Sequence, residues 1–290
     1  SDDTSYTEQK TVGDVLLTFS VNREGSVYDV NDVTEQLIKD TYVQSISDDL
    51  AIVEVNADEL VEYQVILNGK ALTEDVDFTV VKEGGNGQWY KYTYLVNKSL
   101  FEADGEYELV ISSKDKAFNS AFSDVKGRTI TFVIDTTEPV VAVSGLESNG
   151  RYKVTEQTVT LVPTDDGGYI SKVLVGYADK SGNIYQEIFS LSGEELTKAL
   201  EEGQGKLSFV IKEGLDKDIK IMCWDSAFDS EGNANVYEKI YTGVSVSTSQ
   251  MAMLWASDDI RNAIIISVAA VAVGVVAIIV IRKTRKKKSK

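Results

Sequence analysis

Short runs of alternating or β-branched apolar residues, separated by turn residues, fill the chain between residues 14 and 248. Alternation with a period of two is the pattern of a strand that buries one face. Asn68-Gly69, Gly85-Asn86-Gly87 and Gly182-Asn183 supply residues suited to the positive φ angles of hairpin turns. The predicted strands are Val15–Val21, Tyr63–Leu67, Phe78–Val81, Trp89–Val96, Glu106–Ser112, Thr129–Ile134, Val140–Val143, Thr158–Val162, Lys172–Tyr177, Ile184–Phe189, Leu207–Ile211, Ile219–Cys223 and Val236–Val246. Regular short strands joined by such turns predict a β-sandwich.

Two stretches interrupt the strand pattern. Asn31–Asp40 and Glu194–Gly203 are predicted to be short helices or connecting turns, and Ser192 is expected to cap the second. Because both stretches are short, the body of the chain is still predicted to be all-β.

An uncharged apolar stretch of nineteen residues, Ala263–Ile281, follows the predicted strands. As a helix it would be about 28 Å long, close to the roughly 30 Å hydrocarbon core of a bilayer. The alternative is a buried core helix, but such a helix does not need to be apolar on every face. The sequence therefore predicts a single transmembrane helix, with the lipid bilayer as the partner of residues 263–281.

A basic tail, RKTRKKKSK, follows the apolar stretch at residues 282–290 and contains seven basic residues and no acid. Such a run could be a nucleic-acid patch or a solvated tail, but next to a membrane span it is typical of the cytoplasmic side. We therefore expect the N-terminal part outside the cell and the tail inside. The residues expected to anchor and orient the chain are Trp255 at the outer interface, Ala263, Gly274 and Ile281 in the span, and Arg282, Lys283, Arg285, Lys286, Lys287 and Lys288 in the tail.

An internal repeat indicates two domains. Asp115-Lys116-Ala117-Phe118-Asn119-Ser120 recurs 110 residues later as Asp225-Ser226-Ala227-Phe228-Asp229-Ser230, and each copy lies between two strand patterns. The boundary is predicted in the polar stretch that contains Asp135, Glu138 and Pro139, which we expect to set the angle between the domains. The predicted organisation is an N-terminal linker (1–13), two immunoglobulin-like domains (14–138 and 139–248), a juxtamembrane segment (249–262), the transmembrane helix (263–281) and a basic cytoplasmic tail (282–290).

Composition narrows the function classes. The 290 residues include one cysteine and no histidine, so an intramolecular disulfide, a zinc site and Ser-His or Cys-His catalysis are not expected. The chain has 29 basic and 46 acidic residues; without the seven basic residues of the tail, residues 1–262 carry 22 against 46, a net charge of −24. Such an acidic chain is not expected to bind nucleic acid. We predict a protein that is not an enzyme.

The sequence GEYELVISSKDKAFNS, followed by ITFVIDTTEPVV, resembles the end of a bacterial immunoglobulin-like repeat. Such repeats read D-x-A-G-N and then I-D-T-T-x-P into the next domain. The resemblance covers most of residues 14–290 and implies two tandem immunoglobulin-like β-sandwiches in a cell-surface protein of a Gram-positive bacterium, of the adhesin or stalk type. Phe118 and Phe228 stand where these repeats often carry glycine. No LPxTG-type sorting motif precedes the span, which favours retention by the membrane helix.

The resulting functional hypothesis is a single-pass bacterial membrane protein whose extracellular stalk displays a distal functional region. The chain begins SDDTSYTEQK, without an initiator methionine or an apolar export signal, so we expect a processed form or a fragment. Two alternatives stay open. One sandwich could itself be an adhesive module for a host glycan or an extracellular protein, or the stalk could belong to a surface-anchored carbohydrate-active enzyme.

Calcium is the only cofactor that the sequence brings into consideration, and the expectation is that none is needed. Asp165-Asp166, Asp179 and a run with Asp225, Asp229 and Glu231 offer hard oxygen ligands, but none has the spacing of an EF-hand loop. Turns require Asp, Asn and Gly for backbone reasons alone. Turn chemistry is therefore the preferred interpretation of these acids.

Two other features are assigned to the core. Tyr90, Tyr92 and Tyr94 alternate along one strand, and could be a stacking platform for sugars, but the opposite face carries Lys91 and Thr93. The tyrosine face is therefore predicted to be buried. Cys223 shares a strand face with Ile219 and Ile221, so it is predicted to be a small core residue rather than a reactive thiol.

Overall fold

The computed structural model describes residues 4–10, 14–23, 25–120, 127–256 and 258–288. The first half of the chain contains β1 (Thr4–Lys10), β2 (Asp14–Val21), β3 (Val27–Val30), α1 (Asp32–Asp40), β4 (Tyr42–Val43), β5 (Leu50–Asn56), β6 (Leu60–Leu67), β7 (Lys70–Ala71), β8 (Phe78–Gly85), β9 (Gln88–Val96), a 3₁₀ turn (Lys98–Phe101), β10 (Gly105–Asp115) and β11 (Thr129–Ile134). The second half contains β12 (Val140–Ser144), β13 (Arg151–Tyr152), β14 (Glu156–Thr164), β15 (Lys172–Ala178), β16 (Ile184–Ser192), α2 (Gly193–Glu202), β17 (Leu207–Lys212), β18 (Gly214–Phe228), β19 (Ala234–Val246), α3 (Gln250–Trp255) and α4 (Asp258–Lys288). Half of the residues are in strands and the longest helix is at the C-terminal end, so the predicted all-β fold with one terminal apolar helix is confirmed.

The chain folds into two compact units that do not follow the sequence order strictly. The first unit contains residues 1–138 and two later segments, 165–169 and 225–235. The second contains residues 139–164, 170–224 and 236–290. Two short segments of the second half of the chain therefore belong to the first unit.

The first unit is a sandwich of two antiparallel sheets. One sheet has the order β3-β5-β9-β8, and the other runs β4-β11-β10-β6-β7, with the short β4 parallel to β11. Inward side chains of the two sheets form one core, in which Ile52, Tyr94 and Ile111 are fully buried. Tyr92 is buried as well, so the tyrosine face of β9 lies in the core as predicted. Burial of this alternating set is what stabilises the pairing of the two sheets.

The second unit repeats this architecture with other residues. Its sheets are β12-β14-β17 and β13-β19-β18-β15-β16, with the short β13 parallel to β19. Cys223, Ile219 and Ile221 are fully buried on one face of β18, as the period of two predicted. By order and pairing, β5, β6, β10 and β11 of the first unit correspond to β14, β15, β18 and β19 of the second.

Both predicted helices are present. Asn31 caps α1, and its side-chain oxygen accepts a hydrogen bond from the backbone N–H of Thr34 at 3.0 Å. Ser192 precedes α2, but among the described residues its hydroxyl accepts no capping hydrogen bond. Ser192 is therefore the N-cap residue of α2, as predicted, although its side chain supplies no capping hydrogen bond.

The predicted N-terminal linker, residues 1–13, contains a strand. β1 pairs antiparallel with β2 in a separate two-stranded sheet, so Thr4–Lys10 of the predicted linker is a strand. Residues 1–3 and 11–13 of that prediction lie outside the described residues.

The C-terminal apolar stretch is part of α4. Residues Ile260–Ile279 form a helical segment of 20 residues with a mean hydropathy of 2.7, and none of it is buried against the rest of the chain. Length and composition are sufficient to cross a bilayer. The alternative of a buried core helix is not supported for these residues.

Candidate functional site

Three aspartates from distant parts of the sequence meet in the first unit. Asp135 directly follows β11, Asp165 lies in the loop after β14, and Asp225 is near the end of β18. One carboxylate oxygen of each lies within 4.8 Å of the others. Asp135 and Asp225 are fully buried and Asp165 is half-buried. We call this group the aspartate triad.

Backbone and amide donors satisfy only part of the triad. Asp135 Oδ1 accepts a hydrogen bond from the N–H of Thr137 at 3.1 Å, and Asp165 Oδ2 accepts one from the N–H of Gly168 at 2.9 Å. Asp135 Oδ2 and Asp165 Oδ1 are buried, and within the described chain neither has a hydrogen-bond partner. Buried polar atoms are normally paired, so two such oxygens in one cluster call for a physical explanation.

Two glycines let a loop wrap closely around the triad. A Cβ added to Gly167 would lie 2.5 Å from Cγ of Asp135, and one added to Gly168 would lie 3.0 Å from Oδ2 of Asp165. Real Cβ atoms do not approach side-chain carbons this closely. The Asp165–Tyr169 loop therefore reaches Asp135 because it has no side chains at these two positions.

The triad is electrostatically unfavourable as three bare carboxylates. Burial, together with the charges of Asp135 and Asp225, raises the pKa of Asp165 to about 6. Burial also raises the pKa of Asp225, and the charge of Asp135 acts in the same direction. In the described part of the chain, no lysine or arginine forms an ion pair with Asp135 or Asp165.

The calcium candidates taken from the sequence do not come together. Asp225 belongs to the triad, but Asp229 accepts hydrogen bonds from the backbone N–H groups of Glu231 and Asn233, both at 2.8 Å. These hydrogen bonds, with that of the Asn233 side chain, lower the pKa of Asp229. Asp229 and Glu231 thus form an ordinary turn, whereas Asp225 lies in the triad with Asp165 and the predicted linker residue Asp135.

The same turn occurs three times among the described residues. The turns Asp115–Asn119, Asp179–Asn183 and Asp229–Asn233 each place the carboxylate of the first residue against the backbone N–H groups two and four positions later. Their fourth residues, Phe118, Gly182 and Gly232, have φ angles of 62°, 82° and 84°. Phe118 therefore does stand at a glycine position. Phe228 does not, because it lies on β18 and pairs with Val43.

No protein-family model matches the chain, and no curated protein matches it. Among solved structures, the chain is similar to the C-terminal domain of the AgI/II polypeptide BspA of Streptococcus agalactiae. The two are 13% identical, and the match covers 77% of this chain and 100% of that one with a TM-score of 0.23. A likeness this remote carries no functional argument, so function has to be argued from the residues themselves.

The predicted linker residues and anchor residues have defined places. Glu138 is exposed and Pro139 is buried, while the hydroxyls of Thr136 and Thr137 donate hydrogen bonds to Asp104, both at 2.8 Å. Trp255 is exposed at the end of α3, and Ala263 and Gly274 are exposed on α4. The helical backbone continues past Ile281 through six basic residues of the tail, Arg282, Lys283, Arg285, Lys286, Lys287 and Lys288. The side chains of Ile281 and of these six residues lie outside the described part.

Proposed function

We propose that this chain is the membrane-proximal part of a bacterial surface protein, in which serial sandwiches form an extracellular stalk anchored by α4. The observation that carries the proposal is the apolar stretch Ile260–Ile279, none of which is buried inside the described part of the chain. An uncovered apolar helix of 20 residues is unfavourable in water and favourable in a bilayer.

Charge supports the orientation. The basic residues at 282–290 are continuous with the apolar stretch, whereas residues 1–262 carry the excess of acid. Short flanking segments rich in Lys and Arg remain in the cytoplasm. Trp255, exposed on the other side of the stretch, stands where interfacial aromatics are found.

Fractionation of bacterial membranes tests the anchor. We expect the full chain to sediment with membranes and to resist a carbonate wash, and a chain that ends at Asn262 to be released. Because a shortened chain could aggregate, a second variant keeps the full length and replaces Val271 and Val273 by arginine. Each arginine costs about 3 kcal/mol of insertion free energy near the helix centre.

The matched control replaces Val271 and Val273 by leucine, which should leave membrane association unchanged. Protease added to intact cells should digest the sandwiches and leave a C-terminal tag protected. Membrane association of the double arginine variant equal to that of the leucine control would contradict the anchor, and digestion of the tag in intact cells would contradict the orientation.

A further inference from the structure

A second set of side chains in the first unit corresponds to the aspartate triad. Asn22 directly follows β2, in the sequence TFSVN, just as Asp135 directly follows β11, in the sequence TFVID. Asp58 lies between β5 and β6, the counterparts of the strands that flank Asp165. Asp115 ends β10, the counterpart of β18, on which Asp225 lies. The set Asn22, Asp58 and Asp115 is called the amide set.

Hydrogen bonds confirm the correspondence. In the amide set, Nδ2 of Asn119 donates to Oδ2 of Asp115 at 3.0 Å and to the carbonyl of Asn22 at 3.1 Å. In the triad, Nδ2 of Asn235 donates to Oδ2 of Asp225 at 2.7 Å and to the carbonyl of Asp135 at 3.0 Å. In both sets an asparagine amide therefore joins equivalent carboxylates to equivalent backbone carbonyls.

The two sets differ in one group. In the amide set, Nδ2 of Asn22 donates to Oδ2 of Asp58 at 2.9 Å and to Oδ2 of Asp115 at 3.3 Å, so a donor lies between the two carboxylates. The triad has the carboxylate of Asp135 in place of that amide. Acceptors then face acceptors, and Oδ2 of Asp135 and Oδ1 of Asp165 are left buried without a hydrogen-bond partner in the described chain.

Buried carboxylates without a donor or a counter-charge are strongly disfavoured. A bound cation supplies what the amide of Asn22 supplies in the other set. We propose that Asp135, Asp165 and Asp225 bind a divalent cation, with calcium as the preferred ion, and that the bound cation holds segments 165–169 and 225–235 to Asp135.

The donor set favours calcium among the common cations. All the candidate ligand atoms are carboxylate oxygens, which suit hard cations, whereas zinc and copper select nitrogen and sulfur. Calcium accepts six to eight oxygens in flexible geometry, and water can complete the shell on the side where Asp165 is half-buried. Magnesium prefers one or two carboxylates and retains more of its water.

The test uses the full chain in detergent after treatment with a chelator. We expect about 10 mM calcium chloride to raise the midpoint of thermal unfolding, followed by circular dichroism, by about 5 °C. Titration calorimetry should show binding with a dissociation constant of about 10⁻⁴–10⁻³ M. Magnesium chloride at the same concentration should give a clearly smaller shift.

Asp135→Asn is the decisive variant, because it rebuilds the chemistry of the amide set. The new amide should donate to Asp165 and Asp225, so the variant should fold. Its thermal unfolding midpoint in chelator should equal or exceed that of the calcium-loaded parent, and calcium should no longer raise it. Asp165→Asn should also lose the response. Asp179→Asn removes an exposed acid of an ordinary turn and serves as the control, which should retain the calcium response.

A parent chain whose unfolding does not respond to calcium would overturn the proposal. So would an Asp135→Asn variant that responds as strongly as Asp179→Asn, since binding would then be a general property of the acidic surface. An equal shift with magnesium would overturn the preference for calcium. None of these readouts depends on membrane association, so failure here and failure of the proposed anchor are distinguishable.

Discussion

Phe118 occupies a backbone conformation that suits glycine. Its φ of 62° is in the left-handed region, and its side chain is 77% exposed, so packing does not compensate for the strain. Left-handed backbone costs a bulky L-residue about 1–2 kcal/mol. The equivalent turns have Gly182 and Gly232 at this position.

We therefore expect Phe118→Gly to stabilise the fold by about 0.5–1 kcal/mol, the relief of strain being partly offset by the larger entropy of the unfolded chain. Chemical denaturation of the full chain in detergent measures this change. The reciprocal control, Gly232→Ala, meets no atom within 4 Å and should destabilise by about 1 kcal/mol through backbone strain alone. Destabilisation by Phe118→Gly would show that the ring makes contacts of its own.

Glu54 is a buried carboxylate inside the first sandwich. It accepts hydrogen bonds from the hydroxyls of Tyr94 at 2.7 Å and Tyr28 at 3.1 Å, and from Ser113. Burial raises the pKa of both phenols above the ordinary range, and the nearby Glu54 acts in the same direction. The pKa of each phenol is higher in the folded state than its unfolded value of about 10. The protonated phenols therefore contribute stability that is complete below about pH 10 and is lost as the pH rises beyond it.

Tyr94→Phe should destabilise the fold at neutral pH by about 1–3 kcal/mol, since it removes one donor from a buried carboxylate. The stability difference between parent and variant should shrink above about pH 10, where the parent loses the stability that the protonated phenol of Tyr94 contributes. Denaturant unfolding at several pH values, with the absorbance of tyrosinate as a second signal, measures both effects. Tyr185→Phe, at an exposed phenol, should change neither the stability nor its pH dependence.

The loop Asp165–Tyr169 depends on a missing side chain. A Cβ at residue 167 would lie 2.5 Å from Cγ and 2.7 Å from Oδ1 of Asp135. Gly167→Ala should therefore displace the loop, destabilise the fold by about 1–3 kcal/mol and remove most of the calcium-induced rise in the unfolding midpoint. Gly214→Ala is the matched control, because its Cβ would meet nothing closer than 3.6 Å. A calcium response in Gly167→Ala equal to that of Gly214→Ala would refute the close approach.

Strands with an apolar inward face could be predicted, and one with polar residues inward could not. The alternation of β9 and of β18 predicted both the strands and their buried faces, including Cys223. β5 was missed because its buried positions are Leu50, Ile52, Glu54 and Asn56, so that two of the four inward residues are polar. The burial of Glu54 depends on donors from three other strands, which local patterning does not contain.

At the scale of the whole molecule, features of contiguous sequence could be predicted, and contacts between residues distant in the sequence could not. The apolar stretch, the basic tail and the all-β fold are properties of contiguous sequence. The triad needs Asp135, Asp165 and Asp225 to meet through the order of strands, and its two later residues lie in segments that belong to the first compact unit. Only the pairing of TFSVN with TFVID signalled in the sequence that Asn22 and Asp135 are equivalent.

The contrast between Asn22 and Asp135 has a consequence for how such proteins change over generations. The codons for asparagine and aspartate differ by a single nucleotide. With the proposed cation site, one point mutation converts a cluster closed by an amide into one closed by a cation, or reverses the change. A lineage moving between ion-rich and ion-poor habitats could adjust each of the two loop clusters of the first unit separately, without altering the fold.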